Sequence, residues 1–153
     1  MERGEIMRKT FFKRMISVFI AWVLLVSGFS FVAKADEAVP FYNNVNSTNS
    51  SASISSSGVL TVTNRYVGSS SVTTKAVITT YVEKKVLGLF WSRVDIGQTN
   101  DEWVDTIYNY TYTGSHSVQL SSTGTYRVTV EYVIYGSGGS ADTITKEIEK
   151  SYS

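Results

Sequence analysis

LSSTGTYRVTVEYVIY, residues 120–135, is the most regular stretch of the chain, and residues 126–132 within it alternate apolar with polar. Tyr126, Val128, Val130, Tyr132 and Ile134 fall on one parity, with Arg127, Thr129 and Glu131 on the other. Successive side chains of a β-strand point to opposite faces, so this spacing predicts a strand with one core face and one wet face. The same grammar extends outward in both directions. SASIS (51–55), GVLTVTNRY (58–66), VTTKAVITTYVEKK (72–85), LFWSRVDI (89–96), EWVDTIYNYTYT (102–113) and HSVQL (116–120) precede it, and TITKEIEKSY (143–152) follows. Gly, Ser, Asn and Asp separate the runs, as turns require. The last run also fits a helix through Ile144, Ile148 and Tyr152, but its Thr content and the preceding loop favour a hairpin. Eight short runs without a helical stretch predict an antiparallel all-β sandwich or barrel.

The entrance to the central run narrows the choice. Leu120, Gly124, Tyr126 and Val128 form L-x-x-x-G-x-Y-x-V. This resembles the tyrosine corner of immunoglobulin-like sandwiches, where a Tyr hydroxyl ties a strand entrance to backbone just upstream. The resemblance implies an immunoglobulin-like β-sandwich of seven or eight strands, with Gly124 and Tyr126 as structural residues. Val128 stands where antibody domains carry their second Cys, so aliphatic packing must replace the disulfide pin.

Composition bounds the rest. The 153 residues make one ordinary domain, and 14 basic against 13 acidic residues leave a formal charge of +1. No strong field draws the chain to nucleic acid, and Lys84-Lys85 is too small a basic step for such a patch. The charge is unevenly spread, since residues 36–153 hold 8 basic and 11 acidic side chains. There is no Cys and a single His, His116. A disulfide scaffold, a thiol nucleophile and a Cys-bearing zinc site are excluded.

Residues 15–33, MISVFIAWVLLVSGFSFVA, carry no charge, follow a basic segment and lead into Ala33-Lys34-Ala35. This is the three-part pattern of a helical secretory signal peptide (1–35), with cleavage after Ala35 and a mature chain starting at Asp36. If it is not cleaved, the same run is long enough to serve as a transmembrane anchor. Either way the remainder is expected outside the cytoplasm, secreted or associated with the cell envelope. Residues 36–50 carry little apolar content and no period and read as a flexible lead-in, so the sandwich is expected over 51–153. The segments YVEKKVLGLFWSRVDIG (81–97), EWVD (102–105) and GTYRVTVEYVIYGSGG (124–139) resemble a group of uncharacterised secreted proteins of Gram-positive bacteria (Firmicutes), a domain-of-unknown-function family. That resemblance implies secretion and no activity.

Chemistry-bearing residues are sparse. Asp95, Asp101, Glu102 and Asp105 cluster in and beside one loop, and hard cations take carboxylate oxygens, but the spacing matches no calcium loop. His116 falls in a polar turn with no G-x-S-x-G nearby, which leaves a small extracellular hydrolase a poor reading. GSGGS (136–140) lacks the Lys and helix of a phosphate loop. Tyr108, Tyr110 and Tyr112 would share one strand face, a geometry used by sugar-binding platforms, but Tyr is a good strand former and ordinary half-buried tyrosines are the favoured reading. No cofactor is implied.

The segment VLGLFW (86–91) stands out, because it places Leu87, Leu89, Phe90 and Trp91 around a glycine turn. A sandwich buries one face of a hairpin readily and both with difficulty. Some of these side chains are therefore expected in a contiguous exposed apolar patch, unless a neighbouring strand or the lead-in with Phe41 and Tyr42 covers them. The expected function is a non-catalytic binding or envelope-associated accessory module, with a protein, cell-wall or membrane-surface partner. A secreted membrane-active toxin or antimicrobial is the alternative.

Overall fold

The computed structural model describes residues 42–153, so the expected signal peptide with Ala33 and Ala35, and residues 36–41 of the lead-in, lie outside the described residues. Eight strands follow in order: β1 (Val45–Ile54), β2 (Val59–Gly68), β3 (Thr73–Val86), β4 (Phe90–Arg93), β5 (Glu102–Ile107), β6 (Thr111–Gln119), β7 (Gly124–Gly136) and β8 (Asp142–Tyr152). They form two antiparallel sheets, one ordered β1-β2-β6 and the other β4-β3-β7-β8, with β5 also paired to β3. β4 and β5 share one edge of β3, β4 along Glu83–Val86 and β5 along Ala76–Tyr81. The chain forms hairpins within a sheet and changes sheet between β2 and β3, β5 and β6, and β6 and β7. This is the immunoglobulin-like β-sandwich expected from the sequence.

The core lies between the sheets and is mostly aliphatic and aromatic. Leu60, Val62 and Tyr66 from β2 face a layer made of Ile78 and Val82 from β3 and Val128, Val130, Tyr132 and Ile134 from β7, all essentially inaccessible. Burying each aliphatic side chain contributes about 1.5–3 kcal/mol, which is how a cysteine-free sandwich holds together. The wet parity of β7 holds for Glu131, whereas Arg127 is half-buried and Thr129 is buried. Thr129 pairs with Tyr81 on one side and Glu147 on the other, and its short side chain is covered between those longer neighbours.

At the entrance to β7 the Tyr126 hydroxyl donates to the Ser122 carbonyl at 2.5 Å, with the ring 1 % exposed. Gly124 has φ of 146°, a region an L side chain rarely adopts, and a Cβ there would meet Lys84 Cε at 2.8 Å. An entrance that only glycine fits and the buried ring together set where β7 begins.

Two expectations about element boundaries are corrected. The lead-in does not run free to residue 50, because β1 starts at Val45 and pairs with β2, in one register from Ser47 to Ile54 and, after a one-residue irregularity, at Val45, which faces Gly68. Its start is held by Asp142, whose carboxylate accepts the backbone N–H groups of Asn43 (2.9 Å), Asn44 (2.7 Å) and Val45 (3.1 Å). The buried Asn44 side chain donates to the Ser140 carbonyl and accepts from Gly138 N–H, tying the glycine-rich β7–β8 loop to the same point. Polar composition concealed this strand because its exposed edge needs few apolar residues. The second correction falls on residues 102–120. EWVDTIYNYTYT is not one strand; it breaks at Tyr108–Tyr110, and the part beyond joins HSVQL in β6 of the other sheet. The crossing is held by Tyr66 donating to the Asn109 carbonyl at 2.5 Å and by Gly68 N–H donating to the Tyr110 carbonyl at 2.7 Å. The β-propensity of tyrosine hid a sheet switch that backbone bonding from β2 enforces.

Candidate functional site

β3 and β4 pair from Glu83↔Arg93 through Lys84↔Ser92 and Lys85↔Trp91 to Val86↔Phe90. The turn that joins them is closed by Leu89 N–H donating to the Val86 carbonyl at 3.1 Å, and both Leu87 (φ 52°) and Gly88 (φ 70°) have positive φ. Two consecutive residues at positive φ mark the type I′ turn, whose preferred pair is Asn-Gly. Gly88 meets that demand freely. Leu87 does not, because a branched side chain in the left-handed region costs roughly 1–2 kcal/mol. The strain has no packing return, since Leu87 and Leu89 are each 82 % exposed and Phe90 is 52 % exposed. Strain concentrated where packing does not require it points to function.

Beneath the apex the chemistry changes by row. Trp91 is half-buried, with Lys85 Nζ 5.3 Å and the Arg127 guanidinium 4.5 Å from its ring centroid. Arg127 is fixed by Glu83 at 2.7 Å, and that bond raises its pKa further above the ordinary arginine value. Arg93 lies 3.3 Å from the Tyr81 ring centroid and pairs with Glu102 at 3.3 Å. Lys84 donates to Ser122 Oγ at 2.5 Å and lines a cleft of about 420 Å³ with Val86, Arg93, Asp95 and Tyr126. Among the described residues no carboxylate lies within ion-pair distance of Lys84 or Lys85.

The described part of the lead-in does not cover the tip. Tyr42 lies beside the Asp142 clamp, near the start of β3, whereas the tip follows the end of that 14-residue strand. At about 3.4 Å per residue the two ends of β3 are roughly 45 Å apart.

The acidic cluster does not assemble. Asp95 accepts the Gly97 N–H at 2.8 Å, Glu102 pairs with Arg93, and Asp105 turns toward β6. Asp101 sits at positive φ in a single 3₁₀ turn (Thr99–Asp101). Among the described residues no three His, Asp or Glu side chains converge as metal ligands would.

A constellation missed at the level of sequence lies where the chain switches sheets. His116 is in the middle of β6, not in a turn, and its Nε2 lies 2.8 Å from Asp105 Oδ2 on β5. The imidazole stacks on Trp103 with centroids 5.1 Å apart and planes 6° from parallel. The pair ties one sheet edge to the other. The adjacent hydroxyls, Ser115 and Ser117, bond Thr63 and Thr61 instead. A continuous 102–113 strand would have hidden this contact; only Asn109 within the tyrosine run signalled a break. The break also disperses the tyrosines, leaving Tyr108 and Tyr110 exposed in the crossing while Tyr112 stacks on the buried Tyr66 at 6.3 Å.

The sequence matches no model of a known protein family and no curated protein.

Proposed function

We propose that the protein is a secreted, non-catalytic β-sandwich that acts by contact, as an envelope-associated accessory or binding module, with the β3–β4 tip as its contact surface. Export rests on the charge-free run 15–33 and the Ala33-Lys34-Ala35 site, and on the resemblance of residues 81–97, 102–105 and 124–139 to secreted Gram-positive proteins. One observation carries the contact reading: the chain holds a leucine at φ 52° and leaves it and Leu89 each 82 % exposed. Exposed apolar groups gathered at one point mark contact sites, whereas scattered ones do not.

The test compares the full chain with a Leu89→Ser/Phe90→Ser variant for retention on sedimented Gram-positive envelopes. The expected result is an unchanged unfolding midpoint with retention lost. Equal retention, or a large drop in the midpoint that would place these residues in the core, overturns the reading.

A further inference from the structure

We infer that the β3–β4 tip docks on an anionic lipid bilayer, with Leu87, Leu89 and Phe90 entering the acyl boundary, Trp91 at headgroup level and Lys84 and Lys85 against lipid phosphates. This rests on the contact reading above and names its partner.

The hairpin register supplies the layering. The apex holds Leu87, Gly88 and Leu89, followed by the rows Val86–Phe90, Lys85–Trp91 and Lys84–Ser92. With a rise of about 3.4 Å per residue, the Trp91 row lies roughly 7 Å below the apex and the Lys84 row roughly 10 Å below it. Amphipathic elements at an interface bury their apolar groups about 5–10 Å deep, with Trp and Lys/Arg at the boundary. The side chains therefore change from apolar at the apex to Trp91 with Lys85 in one row and Lys84 in the next, over the distance in which a bilayer changes from hydrocarbon to phosphate.

Charge complementarity favours lipid over a protein groove. Glu83 and Glu102 are occupied by Arg127 and Arg93, while the exposed Lys85 and the half-buried Lys84, whose ammonium donates to the neutral Ser122 hydroxyl, have no acid within ion-pair distance among the described residues. Residues 36–153 carry a net negative charge, so the attraction is local; at physiological salt it reaches only about 8 Å. The tip exposes three large apolar side chains, Leu87, Leu89 and Phe90, whereas a standard protein interface takes roughly 20–30 residues a side. A bilayer needs no matching pocket.

The chain contains no cysteine, so Leu89→Cys gives a unique attachment point for an environment-sensitive fluorophore in the full-length protein. Ser70→Cys, on the exposed β2–β3 loop at the opposite end of the sandwich, is the control. The probes are vesicles of phosphatidylcholine alone and of phosphatidylcholine with phosphatidylglycerol. The expected result is a blue-shifted emission from position 89, and not from position 70, on the anionic vesicles, reduced by salt. Lys84→Gln/Lys85→Gln weakens the response about 30-fold, as two lysines near an anionic surface imply. Because the N-terminal segment is common to every variant, its own insertion does not alter the comparison. No shift at position 89 on anionic vesicles overturns lipid docking. If the tip variants still lose retention on whole envelopes, the contact reading survives and its partner is a protein or wall polymer. If they lose neither, both fail.

Discussion

Leu87→Asn should make the protein more stable and less able to bind. Leu87 sits at φ 52° as the first central residue of the β3–β4 turn, followed by Gly88 at φ 70°. Asn tolerates this region because its short side chain bonds locally, and Asn-Gly is the preferred pair for a type I′ turn. Relief of the left-handed conformation is worth about 1–2 kcal/mol. Against it stands the little burial that Leu87 has, since it is 82 % exposed, and that fraction is worth at most about 0.5 kcal/mol. The net gain is therefore about 0.5–1.5 kcal/mol. With an unfolding entropy near 2.1 cal/mol/K per residue over about 110 residues, the melting temperature should rise by about 2–6 °C. Thermal and urea unfolding of the wild type and variant measure this directly, and retention on envelopes should fall in the same variant. An unchanged or lower midpoint refutes the strain argument. A raised midpoint with full retention would mean that the strained leucine serves no contact.

The remaining predictions concern the fold that carries the tip. Tyr126→Phe removes the bond to the Ser122 carbonyl but little volume, and should cost about 0.5–1.5 kcal/mol in chemical unfolding; no change would mean that water serves the carbonyl equally well. Asp142→Ala orphans three backbone N–H groups at the start of β1 and should cost about 2–4 kcal/mol, with faster amide exchange at Asn44 and Val45; unaltered exchange there would show that β1 is held by β2 alone. Burial raises the pKa of the Tyr66, Tyr112 and Tyr132 hydroxyls above the ordinary 10.0, with Asp105 adding to the effect at Tyr112. Each then binds its proton more tightly folded than unfolded, so the stabilisation is complete below about pH 10 and lost as pH rises through the folded values. Unfolding midpoints should fall above about pH 10, and a flat profile to pH 11.5 would contradict that burial.

Alternation along residues 126–134 was sufficient to place the central strand, because a side-chain period of two leaves only one register that buries all five apolar groups. The exposed tip was legible for a related reason: VLGLFW holds more apolar side chains than one face of a hairpin can bury. Three features were settled by contacts between distant residues instead. The start of β1 depends on Asp142, about a hundred positions away, and nothing in DEAVPFYNNVNSTNS shows that its N–H groups meet a buried carboxylate. The break at Tyr108–Tyr110 depends on bonds from Tyr66 and Gly68, while local propensity favoured an unbroken strand. The Asp105–His116 contact and its stacking on Trp103 follow from that break, since only a chain that changes sheets brings β5 and β6 edge to edge. Periodicity records which side of a strand meets the core, a property each residue carries locally. Which strand lies beside it, and where the chain leaves one sheet for the other, is decided by hydrogen bonds and packing between segments far apart in sequence, and only the assembled sandwich contains them.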